Sequence, residues 1–349
     1  MTDALAPLHG LAPLSDRVPA PELPTPTHPE VAEWRPATVE DIDLVLEVQQ
    51  AQDRVDHPNY LTSREEIERD FGHHYVDLAK DSLLAIADDG QLLANGLVIF
   101  PPVHDTLVRS ILLGGVHPEF RGRGIGRELL AWQEARALNQ LATSTKPLPG
   151  WIMADADERA PERIRLLQHQ GFTISRYFLE LRRELSDPIP EVKPADDIRI
   201  EPYTPAASEQ TRAARNDAFR DHWGSQPVDQ EQWQSLVAGD TFREDLSFIA
   251  RAGEDGPVVG LLITLVNEDD EATQGFSSAY IELLAVTRAF RGMRIAPALI
   301  ARGLITIRAA GYEKAVLDVD TQNTSGALGL YTRMGFEPAT RQLSLTKQF

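Results

Sequence analysis

Two short stretches of this sequence combine glycine with arginine at spacings that suit anion binding. One is Phe120-Arg121-Gly122-Arg123-Gly124-Ile125-Gly126; the other is Phe290-Arg291-Gly292-Met293-Arg294-Ile295-Ala296. Glycine removes side chains where main-chain N–H groups must approach a bound anion, and a helix start adds the positive end of its dipole. Arg121, Arg123 and Arg127 add charge to the first stretch. The chemistry implied is a diphosphate cradle. A tight strand-to-helix turn needs similar glycines, so the string alone does not decide. A second copy in the same local setting favours the cradle.

That second copy belongs to a longer repeat. Arg121 and Arg291 are 291 − 121 = 170 apart, and the Gly-Phe pairs Gly171-Phe172 and Gly335-Phe336 are 335 − 171 = 164 apart. A period this long is a duplicated domain. Each half begins with a helical stretch, Glu40–Gln52 then Ser63–Leu78, matched by Pro205–Phe219 and Gln230–Ala238. A hairpin follows, with β-rich runs flanking Asp88-Asp89-Gly90 and Glu254-Asp255-Gly256. A third strand ends at Val116 or Val286, and the Gly/Arg loop opens a helix, Ile125–Leu138 or Pro297–Ala310. Strands at Trp151–Ala154 and Ala315–Asp320, a short helix and a last strand close each half. Residues 1–30 carry seven prolines and read as a disordered, extended tail. A second Pro-rich stretch, 186–197, reads as the linker between domains at 31–185 and 198–349.

On these residues the chain resembles the GNAT acetyltransferase superfamily. The first half carries Val116-His117-Pro118-Glu119-Phe120-Arg121-Gly122-Arg123-Gly124-Ile125-Gly126. The second carries Asn323-Thr324-Ser325-Gly326, then Leu330-Tyr331 and Gly335-Phe336. The tandem arrangement resembles the mycothiol-synthase-like branch. The resemblance implies an α/β fold of two tandem domains. Each is a mixed, largely antiparallel sheet of about six or seven strands flanked by helices, with a splayed strand pair that admits pantetheine. It also implies acetyl-CoA as co-substrate, a primary amine of a small molecule as acceptor, and direct attack without an acyl-enzyme. Donor-binding positions carried over are Val116, Arg121, Gly122, Arg123, Gly124 and Gly126 in the first half. In the second they are Leu284, Ala285, Val286, Arg291, Gly292, Arg294, Ala296 and Asn323.

The halves are not equally equipped. Twelve and four residues before Gly335 stand Asn323 and Tyr331; before Gly171 stand Arg159 and Leu167. Four residues before Val286 stands Glu282; before Val116, Leu112. Direct acyl transfer needs a base for the amine proton and an acid for the departing thiolate. Glu282 is the expected base and Tyr331 the expected acid, so the second half is the expected catalytic one and the first a degenerate copy that still holds CoA. Solvent exposure of Glu282, core packing of Tyr331 and helix capping by Asn323 are the structural readings of the same residues. Arg294 replaces a loop glycine, and its effect depends on φ there: strain of about 1–2 kcal/mol if positive, a phosphate contact if negative. His222 and Trp223 are candidates for the acceptor wall, Asp56-His57-Pro58 reads as loop, and Glu268–Glu271 as a solvated hairpin loop.

Composition narrows the partners. Acids outnumber bases 53 to 34 in 349 residues, a formal charge of −19 that disfavours nucleic acid and anionic membrane surfaces. There is no cysteine, which excludes disulfides, thiolate metal sites and a cysteine nucleophile and fits a cytoplasmic protein. No apolar run spans a bilayer, no signal peptide is read, and no histidine spacing suits a metal. A monomer or a homodimer fits equally. Transfer of another acyl group, transfer to a peptide amine, and a non-catalytic acyl-CoA sensor remain as alternatives.

Overall fold

A computed structural model of the chain describes residues 10–57, 59–323 and 326–349. The first nine residues of the expected tail, Pro58 of the first-half loop, and Thr324 and Ser325 of the Asn323 motif lie outside the described residues. The chain divides into two compact units, Met1–Ser175 with Leu343–Phe349, and Arg176–Gln342.

The first unit contains β1 (Glu33–Arg35), α1 (Ile42–Asp56), α2 (Arg64–Gly72), α3 (Leu78–Asp81), β2 (Ser82–Ile86) and β3 (Leu92–Ile99). It continues with β4 (Val108–Val116), α4 (Ile125–Leu141), β5 (Gly150–Asp157), α5 (Pro161–His169) and the start of β6 (Thr173–Glu184). The second contains most of β6, then β7 (Ile198–Pro202), α6 (Ser208–Ala218), α7 (Gln230–Val237), β8 (Phe248–Ala252) and β9 (Val258–Leu265). After these come α8 (Asp269–Gln274), β10 (Ser278–Val286), α9 (Ile295–Ala309), β11 (Lys314–Asp320), α10 (Ala327–Arg333) and the first part of β12 (Glu337–Gln348).

In the first unit the strands run in the order β1-β2-β3-β4-β5, and in the second β6-β11-β10-β9-β8-β7. β4/β5 and β10/β11 pair in parallel; β1/β2, β2/β3, β3/β4, β6/β11, β7/β8, β8/β9 and β9/β10 are antiparallel. The two units exchange their last strands. Leu343–Phe349 belongs to the first unit, where Phe349 and Gly150 exchange backbone bonds of 2.8 and 3.0 Å. Arg176–Glu184 belongs to the second, where β6 pairs with β11 from Glu184↔Lys314 to Phe178↔Asp320.

Local sequence explains most elements. Ser63 and Asp229 cap α2 and α7 in reciprocal boxes with Glu66 and Gln232. β3 is buried along its whole length and β9 along all but its last residue, as expected of central strands covered on both faces. Gly96 and Gly260 let a helix approach: an added Cβ would lie 2.8 Å from Leu129 in one unit and 2.8 Å from Ile295 in the other. Helix α9 buries Leu299, Ile300, Leu304 and Ile307 completely, each contributing about 1.5–3 kcal/mol.

Several expectations differ from the structure. Asp56, expected in a loop, is the last residue of α1, and the helical stretch expected over Ser63–Leu78 is interrupted, α2 ending at Gly72 and α3 starting at Leu78. The Pro-rich N-terminal segment is not free of structure over its described part: Leu14 is fully buried, Val18 nearly so, and Leu14 and Ser15 donate backbone bonds to Lys146 and Ser144. Proline forbids a helix there but does not prevent two apolar anchors from docking. The second Pro-rich stretch lies inside the second unit rather than between units. Arg183 donates to the Pro188 carbonyl at 2.7 Å, and Ile189 and Val192 pack on that unit's core. The acidic run at 268–271 is not a simple loop, because Asp269–Gln274 forms α8.

Candidate active site

The two Gly/Arg loops fold alike. In each, a strand ends at Val116 or Val286, a single 3-10 turn follows, and the next helix starts at Ile125 or Ile295. Arg121 Nε donates to the Val116 carbonyl at 3.2 Å and Arg291 Nε to the Val286 carbonyl at 3.5 Å. Gly122 and Gly292 have φ of +75° and +84°. In the second unit, the N–H groups of residues 292–296 meet no acceptor among the described residues. Five consecutive unsatisfied donors at a helix start are a geometry that can receive an anion. Nothing lies within 4 Å of where a Gly292 Cβ would be, so the approach to them is open. The residues present fit the diphosphate of a CoA thioester.

Arg294 adopts φ 61° and ψ 20°, alone among described non-glycine residues in having positive φ. Its counterpart Gly124 has φ 103°. The loop thus keeps its shape at some strain, and the Arg294 side chain makes no hydrogen bond or ion pair among the described residues. Replacing Arg294 with Gly relieves about 1–2 kcal/mol of left-handed strain and adds about 0.5–1 kcal/mol of unfolded-chain entropy. Chemical denaturation is expected to show a net stability gain of up to about 1 kcal/mol.

Around the cradle the units diverge. Arg121 is held by Asp56 in two bonds of 2.7 Å, and Arg123 by Glu30 at 2.8 Å. His28 Nε2 lies 2.9 Å from the Arg123 carbonyl, and its ring would sit 3.4 Å from a Gly124 Cβ. Two of the three loop arginines of the first unit therefore already face carboxylates. Arg291 instead donates to the Ala218 carbonyl at the end of α6, 2.9 Å away, and pairs with no carboxylate among the described residues.

The parallel strand pairs set the next feature. β4 and β5 pair only as far as Ile111↔Met153, and β10 and β11 only as far as Tyr280↔Val316, although all four strands continue. The strands splay beyond these points, as expected. In the first unit Arg163 of α5 bridges the splay: Nε donates to the Asp155 carbonyl at 2.8 Å and Nη1 to the Gly114 carbonyl at 2.7 Å. Its counterpart, 163 + 164 = 327, is Ala327 at the start of α10. The first slot is bolted by a guanidinium; the second has a methyl group there.

Glu282 owes its position to a β-bulge. The β10/β9 register shifts between Ile281 and Leu283, leaving Glu282 as the extra residue. Ala279 and Ile281 pack in the core that includes α9, whereas beyond the bulge Leu283 and Ala285 pack with α6 and α7 residues. The face switches at Glu282, which is exposed. In the first unit β3/β4 runs without a shift from Ala94↔Val116 to Ile99↔Ile111, and Leu112 is buried. Tyr331 lies on α10 against the core, its ring edge-on to Phe336 at 5.8 Å. Burial pushes its phenol up to about 12, so it stays protonated at neutral pH. Asn323 follows β11, with its N–H donating to the Asp320 carbonyl at 3.1 Å. Leu284 and Val286 pack partly buried on the same core.

His222 and Trp223 line the same side of the second unit. Arg176 stacks over the Trp223 ring at 5.1 Å and lies 3.8 Å from Asp320. His222 Nδ1 is 3.3 Å from the Trp223 carbonyl, and burial holds the imidazole below its ordinary value, towards the neutral form. Sequence reasoning missed Asp318 and Tyr280 on this face, which hydrogen-bond at 3.0 Å. The alternation in β11 could have found Asp318, because Val316, Asp318 and Asp320 share the face opposite the buried Leu317 and Val319.

The profile described as "Acetyltransferase (GNAT) family" matches residues 45–172 and again 208–336. The chain belongs to the GNAT acetyltransferase family. As a tandem GNAT protein it is an acetyl-CoA-dependent N-acetyltransferase. It is 30% identical over 228 residues to a mycothiol acetyltransferase of Thermobispora bispora, covering 63% of this chain and 70% of that one. It is also 30% identical over 239 residues to one from Stackebrandtia nassauensis, covering 67% and 72%. The fold matches a GCN5-related N-acetyltransferase from Sphaerobacter thermophilus at TM-score 0.68 and 22% identity, over 90% of this chain and 95% of that one. It also matches a tandem GNAT protein from the clavulanic acid biosynthesis pathway at TM-score 0.66 and 16% identity, over 90% and 98%. No helix among the described residues is long and apolar enough to cross a membrane, and no cluster of His, Asp and Glu among them could hold a metal.

Proposed function

We propose that the second unit carries out acetyl transfer and that the acceptor is the primary amine of a small molecule. The observation that carries this reading is the bulge that turns Glu282 out of β10 beside an open splay, where the first unit has a regular ladder, a buried Leu112 and the Arg163 bolt. The amine nitrogen attacks the thioester carbonyl; a C–N bond forms and the C–S bond breaks. Glu282 takes the proton from the amine, and Tyr331 returns one to the departing thiolate. Amides 292–296 hold the diphosphate, with Arg291 and Arg294 adding charge. The first unit keeps the loop as a structural copy.

A small-molecule acceptor is supported by the curated relatives, which are named as mycothiol acetyltransferases. A net charge of −19 favours the approach of a cationic amine over a polyanion. A cysteine-free chain agrees with a cytosolic location. The test is free-thiol release from acetyl-CoA across a panel of primary amines including glucosamine, spermidine and amino-acid amides. At least one amine is expected to be acetylated. Arg163→Leu is expected to change its turnover by less than about twofold while lowering the melting temperature, because a buried, doubly bonded guanidinium is lost. Acetylation of no panel amine, or abolition of turnover by Arg163→Leu with the fold intact, would overturn the reading.

A further inference from the structure

The face of the second unit beside the splay holds more carboxylate than the reaction above uses. Asp318 on β11 lies directly opposite Glu180 on β6 in the antiparallel ladder. Like charges at such a pair destabilise a sheet unless something compensates them. Glu180 has its compensation: Arg182 Nε donates to it at 2.6 Å. Asp318 has no cation among the described ion pairs. Its Oδ2 accepts the Tyr280 hydroxyl at 3.0 Å, and its Oδ1 is buried with no hydrogen-bond partner among the described residues. Buried polar atoms of this kind are rare and call for a donor. Because Tyr280 occupies one oxygen, the other is held in a fixed direction.

The arrangement exists in one unit only. By the offsets of the repeat, Tyr280 corresponds to 280 − 170 = 110, Ser110, and Asp318 to 318 − 164 = 154, Ala154. Ser110 is turned to Gln140 at 2.5 Å, and Ala154 is buried. The dyad is thus confined to the unit that has the bulged Glu282 and the unbolted splay.

We propose that Asp318 is a second carboxylate of the acceptor site, fixed by Tyr280, whose free Oδ1 accepts a hydrogen from the ammonium group of the incoming amine; Glu282 takes one ammonium proton to free the lone pair, and the second proton, lost from the nitrogen after attack, balances the one Tyr331 gives to the departing thiolate. The proposal rests on the reading of the second unit as catalytic. It specifies the acceptor as a small amine that arrives as the ammonium ion. The groups facing Asp318 are Tyr280 from β10 and Glu180, with its partner Arg182, from β6; Glu282 acts on the Tyr280 hydroxyl between them. Burial raises the Asp318 carboxyl to about 6, with Glu180 adding to the rise and the Tyr280 hydroxyl opposing it. Burial and the neighbouring carboxylates drive the Tyr280 phenol well above its ordinary value, so it remains a donor. An approaching ammonium reverses the balance at Asp318 and favours the carboxylate.

The experiment uses the full chain, acetyl-CoA and whichever panel amine the wild type acetylates fastest. Asp318→Asn is expected to raise KM for that amine about 10–100-fold, the range for losing a hydrogen bond to a charged group, with kcat changed less than about fivefold. The Kd for acetyl-CoA should not move. Tyr280→Phe, which keeps the carboxylate but frees it, should raise the same KM about 3–10-fold. Wild-type KM is expected to fall between about pH 5 and pH 7 as Asp318 ionises, and this dependence should vanish in Asp318→Asn. If Asp318→Asn does not fold, Asp318→Ser is read in the same way. An amine KM within twofold of wild type in the Asp318 variant and in Tyr280→Phe, with the pH dependence retained, would overturn this proposal while leaving the catalytic unit intact. A wild type inactive on every panel amine would overturn the underlying reading and this proposal with it.

Discussion

Glu282→Gln is expected to lower kcat by about 10²–10³-fold, with little change in acetyl-CoA affinity. Tyr331→Phe is expected to lower it by a similar factor, because positioned proton transfer contributes about 10²–10⁴. The arrangement of the two groups explains the effect. A β-bulge pushes Glu282 out of the β10/β9 ladder, and its carboxylate is the group on that strand that can take an amine proton. Glutamine keeps the shape and removes the basicity. Tyr331 is buried on α10 against Phe336, with its phenol raised to about 12. An acid so raised is fully protonated through the neutral range. Its folded-state value lies above the ordinary 10, so the linked stability is fully present below pH 10 and is lost only as pH rises through about 12. Tyr331 therefore gives no basic limb to the rate profile below about pH 10. The readout is kcat and KM from free-thiol release, with melting temperatures to confirm folding. Wild-type rates in both variants would remove the second unit from the chemistry.

Ala296→Pro is expected to weaken acetyl-CoA binding by about 10–100-fold. Ala296 is the second residue of α9 and supplies one of the five main-chain N–H groups that meet no acceptor. Proline at this position deletes the donor yet is tolerated in a first helical turn. Hydrogen bonds to a charged group are each worth about 1.5–3 kcal/mol, which converts to the stated range. Ala296→Gly restores the N–H and should bind within about threefold of wild type. The pair separates the backbone donor from any side-chain effect, since neither replacement carries a charge.

Much of this site was legible in the sequence because it is local. The two Gly/Arg loops, the helices they open and the hairpins before them lie within short stretches whose periodicity and turn residues speak for themselves. Tyr331 and Asn323 could be matched by distance from Gly335, and the contrast with Leu167 and Arg159 was visible at once. Sequence does not fix the φ of Arg294; it is positive because the loop geometry overrides the preference of the residue.

What was hidden depends on long-range pairing. The bulge at Glu282 is a property of two strands in register and leaves no mark on one of them. β6 and β12 occupy corresponding places in the repeat, so nothing in either segment tells which neighbour it will pair with; their exchange gives Glu180 and Arg176 to the second unit. No motif marks Arg163, whose part depends on its bonds to the Gly114 and Asp155 carbonyls, 49 and 8 residues away. In the N-terminal segment the prolines speak for an extended tail, whereas the buried Leu14 and Val18 decide where it lies.

The central claim is that main-chain amides at the start of α9 hold the diphosphate of acetyl-CoA. Isothermal titration of the full chain with acetyl-CoA tests it most directly. One molecule per chain is expected to bind in the wild type and in Ala296→Gly, with the affinity of Ala296→Pro about 10–100-fold weaker. Absence of binding to the wild type, or equal affinity in Ala296→Pro, would contradict it.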